Sequence, residues 1–235
     1  PVRHLSEFYN YALQNYKVME LVEPTYKDVK NQIKNFDILF CAPNHQTFVI
    51  DEDLIKDSNI KSILSPSTGL NHIDVKSVPI VSVKNDKILN DVWSTAEHTL
   101  YLMLSIVRGK HELHNKTLGI IGYGRLGKMV EHLCKPLFKE IISVDKGDSF
   151  DELYEKSDVV SIHMDYNPTT EYMIDNEFLS YFKKNIYLIN TARGEIVNEQ
   201  DIKHLLSVGR IKGYATDVLQ TEYNEQKSAF YGVDY

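Results

Sequence analysis

The stretch TLGIIGYGRLGKMVEHL occupies residues 117–133 and decides the fold. An apolar strand pattern runs into a cluster of three glycines, and a helical pattern begins within that cluster. In such a turn the first glycine permits a tight strand-to-helix connection, the second lets the backbone approach a diphosphate, and the third seats the helix on the sheet. The spacing G-x-G-x-x-G therefore predicts a dinucleotide-binding turn, formed by Gly122, Tyr123, Gly124, Arg125, Leu126 and Gly127.

The next predicted strand, EIISVD, ends in Asp145 about 20 residues beyond the first glycine, which is the usual place for a ribose-binding acid. A carboxylate there accepts hydrogen bonds from the ribose hydroxyls and repels a 2′-phosphate, so the sequence favours NAD over NADP. Lys146 follows directly and leaves NADP open. The alternative is a glycine-rich turn in a flavodoxin-like domain, with Asp145 only a polar strand end.

Short apolar runs alternate with helical patterns along the whole chain, which predicts an α/β protein with parallel sheets. Strands are predicted at 16–22, 37–42, 62–65, 79–83, 117–122, 139–145, 158–163, 185–190 and 213–218, and helices include 25–35 and 51–55. The pattern predicts two α/β domains, with the boundary near residue 90 or within the helical pattern over 91–107, a long and largely apolar helix that is expected to be buried.

Composition excludes several classes of protein. The 26 Lys and Arg against 33 Asp and Glu give a net charge of −7, which argues against a nucleic-acid-binding surface. No apolar run approaches the ~18 residues of a membrane span, and residues 1–10 contain no signal-peptide core. Cys41 and Cys134 are too few for a thiolate metal cluster and are expected to be buried free thiols in a cytoplasmic protein.

Three charged residues follow late strands, where open α/β sheets bind ligands. Arg193 lies in the turn of NTARGEIVNE, and its guanidinium suits a carboxylate. Asp217 ends the strand GYATDV and would accept a hydrogen bond from a nicotinamide carboxamide, while Glu222 would orient an imidazole and raise its pKa. Each has a simpler alternative: a surface arginine, a strand cap and an exposed loop charge.

Together these segments resemble the NAD-dependent D-isomer-specific 2-hydroxyacid dehydrogenases. The resemblance runs from TGLNHIDV (68–75) through AEHTLYLML (96–104), the glycine turn and NTARGEIVNEQDI (190–202) to GYATDVLQTE (213–222). It implies an oxidoreductase that transfers hydride between nicotinamide and C2 of a small 2-hydroxy or 2-oxo acid. It also implies two Rossmann-like or flavodoxin-like domains with cofactor and substrate in the cleft between them: residues 1–90 as the substrate domain and 91–235 as the NAD-binding domain, entered by the interdomain helix over 91–107. A homodimer is expected as well.

The resemblance also carries roles for individual residues. Arg193 would hold the substrate carboxylate and polarise the carbonyl, Glu222 would pair with a catalytic histidine, and Asp217 and Asp145 would face the nicotinamide and the ribose. The backbone of Thr68, Gly69 and Leu70 would cradle the carboxylate. His163, Thr191 and Ala192 would lie beside the cofactor, whereas His98 is expected to be a packed or capping histidine.

One departure keeps a rival hypothesis open. The family's catalytic histidine follows the glutamate, but residues 223–235 contain no histidine. We expect the intact polypeptide to continue past Tyr235 and to supply it. The alternative is an NAD-sensing binding protein or corepressor on the same fold, with little turnover; an adenosylhomocysteinase-like or transhydrogenase-like protein would not explain NTARGEIVNE followed by TDVLQTE.

Overall fold

A computed structural model of the chain describes residues 6–41, 48–84, 86–108, 111–183 and 185–220. The chain divides into two compact units: the first unit ends at Leu89 and the second begins at Asn90. Each has its own hydrophobic core. No helix in the described ranges is long and apolar enough to cross a membrane.

The first unit is a small parallel α/β structure. Its elements are α1 (Ser6–Asn15), α2 (Tyr26–Gln32), β1 (Ile38–Phe40), β2 (Ile50–Asp51), α3 (Glu52–Ile55), β3 (Ser62–Ser65), β4 (Ile73–Asp74) and β5 (Ile80–Ser82). Three parallel strands form a sheet in the order β1–β3–β5, and β2 pairs separately with β4. Side-chain caps from Thr25 and Asp51 begin α2 and α3.

The strand predicted over 16–22 is wrong, because this segment is irregular. Its apolar residues do not alternate between a buried and an exposed face: Val18, Met19 and Val22 are all exposed, and Val22 is 62% exposed. Only Leu21 packs against the core of the first unit. Apolar composition alone therefore did not define a strand, since none of the strands in the described ranges pairs with this segment.

The second unit is a doubly wound sheet. Its helices are α4 (Ser94–Met103), α5 (Arg125–Cys134), α6 (Asp151–Lys156), α7 (Asn176–Ser180) and α8 (Glu199–Ser207), and its strands are β6 (Thr117–Ile121), β7 (Glu140–Val144), β8 (Val159–Ile162), β9 (Ile186–Asn190) and β10 (Ile211–Thr216). Every strand pair is parallel, in the order β7–β6–β8–β9–β10. The central strands β6, β8 and β9 are buried throughout, which explains their continuous apolar runs.

This strand order locates the candidate site. After β6 the chain goes first to β7 on one side and then to β8 on the other, so a crevice opens beyond the carboxyl ends of β6 and β8. Residues 145–158 between β7 and β8 contain only α6, too little for a further strand and crossover. In the described sheet β7 is therefore an edge strand.

The helix predicted over 91–107 is shorter and less buried than expected. The α-helix begins at Ser94, after a 3₁₀ turn over Lys87–Asp91, and continues as a π-helical turn over Leu104–Arg108. Ala96, Thr99 and Met103 recur at three- and four-residue spacing and are buried, whereas Tyr101 is 62% exposed. One face of α4 packs against the core of the second unit, and the opposite face is exposed. The helix is therefore amphipathic despite its apolar composition.

Candidate active site

The glycine turn after β6 is held between the ends of two neighbouring strands. Gly122 has φ +94°, a conformation that an L side chain rarely adopts, and its N–H donates to Val144 O at 2.9 Å. A methyl group on Gly122 would lie 2.5 Å from the backbone nitrogen of Met164. Glycine is thus required here by both backbone conformation and space.

Gly124 and Gly127 differ in their surroundings. A methyl group on Gly127 would lie 2.3 Å from Gly122 O, so this glycine permits α5 to pack against the turn. A methyl group on Gly124 would meet none of the atoms that the structure describes within 4 Å beyond its chain neighbours. Open space above Gly124, at the N-terminus of the ten-residue α5, fits a dinucleotide diphosphate attracted by the helix dipole.

The other residues of the turn direct their side chains elsewhere. Tyr123 donates its hydroxyl hydrogen to Glu131, and this bond raises the pKa of Tyr123. The Arg125 guanidinium donates to Val92 O at 3.3 Å, and Leu126 packs against the core. What these three positions offer at the turn is therefore mainly backbone.

Asp145 is exposed directly after β7. Its carboxylate accepts from the backbone N–H of Lys146 at 2.9 Å, and the Asp148 carboxylate accepts from the backbone N–H of Asp145 at 2.8 Å. Two carboxylates consequently lie at this corner of the sheet, and Asp148 was not singled out from the sequence. Both would repel a ligand phosphate, in opposition to Lys146.

His163 follows β8 beside the glycine turn. Its Nε2 is 2.8 Å from Ser161 Oγ, while its buried Nδ1 has no hydrogen-bond partner within the described ranges. Burial lowers the pKa of His163 to about 4, so the ring is neutral at physiological pH. A buried ring nitrogen without a partner next to the open glycine turn is consistent with a ligand that completes its hydrogen bonding.

Arg193 lies on a turn that a single asparagine braces. The Asn190 side chain accepts from Ala192 N at 3.0 Å and donates to Arg193 O at 2.9 Å. A methyl group on Gly194 would lie 2.0 Å from the carbonyl carbon of Leu219, so the turn packs directly on the segment after β10. These contacts fix the backbone of Arg193 at the carboxyl end of β9.

Asp217 follows β10 and is paired with a histidine from α4. His98 Nε2 lies 3.7 Å from Asp217 Oδ2, with the two side chains 43% and 37% exposed. Burial raises the pKa of Asp217, while His98 and Arg193 act in the opposite direction. His98 was expected to be a packed or capping histidine; its ring lies beside that of Tyr101 at 5.8 Å and also approaches the Asp217 carboxylate.

Thr191 is also contacted from α4. Its hydroxyl lies 2.8 Å from that of Thr99, and both residues are buried. Sequence reasoning did not select Thr99 or the bracing role of Asn190. A side-chain hydrogen bond between residues 92 positions apart leaves no local pattern to find, although Asn at a strand end does favour turns.

Glu222 lies outside the described residues, but the segment leading to it is anchored. The Glu199 carboxylate accepts from Gln220 N at 2.6 Å, and Gln220 Nε2 donates to Tyr172 Oη at 3.0 Å. Glu199 is 1% exposed. The chain is thus held in place up to Gln220, two residues before the predicted acid.

The first unit contains the turn Thr68–Gly69–Leu70 after β3. Ser67 Oγ donates to Gly69 O at 2.8 Å and contacts Ser65 Oγ, which in turn lies 3.0 Å from Nε2 of the buried His72. Within the described ranges the N–H groups of these three turn residues have no acceptor. A polar cluster therefore supports a turn whose backbone donors are available to an anion.

A family model for the NAD-binding domain of D-isomer specific 2-hydroxyacid dehydrogenases matches residues 95–234. Among curated proteins, the D-specific alpha-keto acid dehydrogenase of Enterococcus faecium is 29% identical over 194 residues, which cover 72% of this chain and 60% of that protein. The chain thus spans somewhat less than two thirds of that relative's length.

Two solved structures are similar over most of the chain. D-lactate dehydrogenase from Aquifex aeolicus, complexed with NAD and lactic acid, is 26% identical with a TM-score of 0.72 and covers 91% of this chain and 74% of its own. NAD-dependent formate dehydrogenase from Staphylococcus aureus, in complex with NAD, is 26% identical with a TM-score of 0.73 and covers 92% and 74%.

Proposed function

The chain belongs to the D-isomer-specific 2-hydroxyacid dehydrogenase family, and from this premise we propose that it is an NAD(H)-dependent oxidoreductase acting on a small 2-hydroxy or 2-oxo acid. The observation that carries the proposal is that the candidate residues all follow the carboxyl ends of strands in one parallel sheet. The glycine turn, open above Gly124, follows β6, and Arg193 and Asp217 follow β9 and β10 at the same edge.

The residues present fit a dinucleotide. The backbone of Gly122–Gly127 and the first turn of α5 would hold its diphosphate, Asp145 the ribose hydroxyls, and His163, Thr191 and Ala192 would line its path along the strand ends. When bound, NAD(H) supplies the hydride acceptor or donor. NAD rather than NADP follows from the negative charge of Asp145 and Asp148 beside the expected ribose position.

Substrate positioning falls to Arg193. A guanidinium binds a carboxylate through two parallel hydrogen bonds and stabilises negative charge that develops on a carbonyl oxygen. The backbone donors of residues 68–70 would contribute further hydrogen bonds to the carboxylate. Glu222 would pair with an imidazole that takes or returns the proton of the 2-hydroxyl group.

The test is a panel of 2-oxo acids with NADH, run on the wild type and on Arg193→Lys. Lysine keeps the positive charge but cannot donate two parallel hydrogen bonds to a carboxylate. The kcat/KM should therefore fall by ~100-fold, equivalent to ~2.7 kcal/mol, while NADH binding survives. Unchanged turnover would remove Arg193 from its role. No turnover in a full-length wild type that binds NADH would favour the NAD-sensing alternative.

Arg210→Lys is a matched control for that experiment. The Arg210 guanidinium donates to Leu179 O at 2.9 Å and to Phe182 O at the end of α7. It precedes β10 and so lies at the opposite edge of the sheet from Arg193. This variant should lose stability, by about 1–2 kcal/mol for hydrogen bonds from a charged donor, but retain kcat/KM.

The homodimer and the cytoplasmic location stay predictions of the same proposal. Light scattering of the full-length protein would test the first, since a dimer has twice the mass of one chain. Fractionation of cells expressing the tagged full-length protein would test the second.

A further inference from the structure

We propose that His98 is a positioning residue that orients the Asp217 carboxylate toward the nicotinamide end of the bound cofactor. The inference rests on the proposed function, because it takes Asp217 as the acid that accepts a hydrogen bond from the carboxamide. The proposal adds a residue of the helix α4 to a site whose other residues were selected in segments that follow strands.

The geometry of the pair carries the proposal. Asp217 Oδ2 faces His98 Nε2 at 3.7 Å, close enough for an electrostatic interaction that a small rotation converts into a hydrogen bond. The His98 ring also lies 5.8 Å from the Tyr101 ring on the same helix. The imidazole therefore lies between an aromatic ring of α4 and one oxygen of the carboxylate.

The helix that carries His98 is fixed at the adjacent residue. Thr99 is fully buried, and its hydroxyl contacts both Thr95 O and Thr191 Oγ1, at 2.7 and 2.8 Å. Consecutive residues of α4 therefore contact the segments that follow β9 and β10. Because Thr216 Oγ1 also donates to Asn190 O at 2.8 Å, those two strand ends are tied to each other.

The environment of Asp217 favours a hydrogen-bonding or charged partner for its carboxylate. Its side chain is 37% exposed, and partial desolvation disfavours its charged form. His98 and Arg193 are the two basic groups that counteract this effect, but Arg193 is assigned to substrate. His98 is accordingly the group left to orient the Asp217 carboxylate while Arg193 binds the carboxylate of the substrate.

The experiment compares two ligands that differ only at the nicotinamide end. NADH and ADP-ribose share the adenosine and the diphosphate, but ADP-ribose has no nicotinamide. In His98→Phe, which keeps the ring contact with Tyr101 and removes both nitrogens, the Kd for NADH should rise about tenfold. The Kd for ADP-ribose should stay within about twofold of the wild type, which also shows that the second unit is folded.

Two further variants separate positioning from general damage. His98→Gln retains an N–H donor at a similar reach and should restore NADH affinity to near the wild-type value. In Asp217→Asn, His98→Phe should have no additional effect, because the partner it acts through is already changed.

The outcomes decide the matter. Unchanged NADH affinity in His98→Phe, an equal loss for both ligands, or an effect that persists in Asp217→Asn would each overturn the positioning role alone. A wild-type chain that binds neither NADH nor ADP-ribose would overturn the proposed function, and the positioning role with it.

Discussion

At the scale of single residues, the proposed preference for NAD rests on charge at one corner of the sheet. Asp145 is exposed after the edge strand β7, and Asp148 bonds to its backbone N–H. A 2′-phosphate brought to this corner would face two carboxylates and one lysine, Lys146. The balance of charge there favours the unphosphorylated ribose.

We expect NADH to bind at least about tenfold more tightly than NADPH, a difference of ~1.4 kcal/mol, in fluorescence titrations. Asp145→Ser should reduce this preference because it removes the acceptor and the charge together. Glu152→Gln is the matched control, since it removes an exposed carboxylate that pairs with Lys156 on α6. Equal affinities in the wild type would contradict the role given to Asp145.

At the scale of elements, the glycines of the turn after β6 differ in role: Gly127 is required for packing of α5, and Gly124 leaves space for a ligand. Gly124 has φ −79° and open space around its Cβ position, so alanine fits there without strain. Gly127 lies inside α5, where alanine is favoured by about 1 kcal/mol in helix propensity. Its Cβ would nevertheless press on a backbone oxygen at 2.3 Å, and a backbone atom cannot move aside cheaply.

These surroundings predict opposite results for two identical substitutions. Gly124→Ala should keep the thermal stability of the wild type but bind NADH at least about tenfold more weakly, because the methyl group fills the space over the turn. Gly127→Ala should lower the melting temperature by several degrees, as a clash of about 1–3 kcal/mol would. Calorimetry and NADH titration on both variants check this. A Gly124→Ala protein that binds NADH as tightly as the wild type would show that the diphosphate does not lie over Gly124.

The same scale shows which elements the sequence could predict. The strands β6, β8 and β9 were predictable because burial on both faces requires continuous apolar runs. Asn198 caps α8 by accepting from Gln200 N and Asp201 N, as an asparagine directly before a helical pattern favours. The segment 16–22 has equally apolar residues but pairs with no strand in the part of the chain that the structure describes. Its failure as a strand depends on contacts that are absent from its own composition.

For the candidate site too, local motifs could be predicted from the sequence and long-range contacts could not. Gly122, Asp145, Arg193 and Asp217 lie in local motifs at strand ends, so sequence reasoning could select them. The contacts of His98 and Thr99 with the strand-end segments join distant parts of the chain. Such contacts exist only once α4 has packed on the sheet, which no local pattern specifies.

At the scale of the whole molecule, one buried histidine couples stability to pH. Burial lowers the pKa of His163 to about 4, well below the 6.5 of an exposed imidazole. Between these values the unfolded chain binds a proton that the folded chain does not, so acidification favours unfolding. The contribution of the neutral ring is complete above pH 6.5 and is lost as the pH falls toward 4.

We therefore expect the free energy of unfolding, measured in urea at pH 7, 6 and 5, to decrease by about 2 kcal/mol through His163 alone, at ~1.4 kcal/mol per pH unit below 6.5. Asp217 and Glu195, whose pKa values burial raises, act in the opposite direction, so the contribution of His163 is taken from the difference between the wild type and His163→Gln. His163→Gln should be less stable at pH 7, since it disturbs the Ser161 contact, but its stability should vary less with pH. His204→Gln changes an exposed histidine on α8 and should keep the wild-type slope. A slope that survives in His163→Gln would mean that another group takes up the proton, and the buried ring beside the glycine turn would then have no part in the acid sensitivity of the fold.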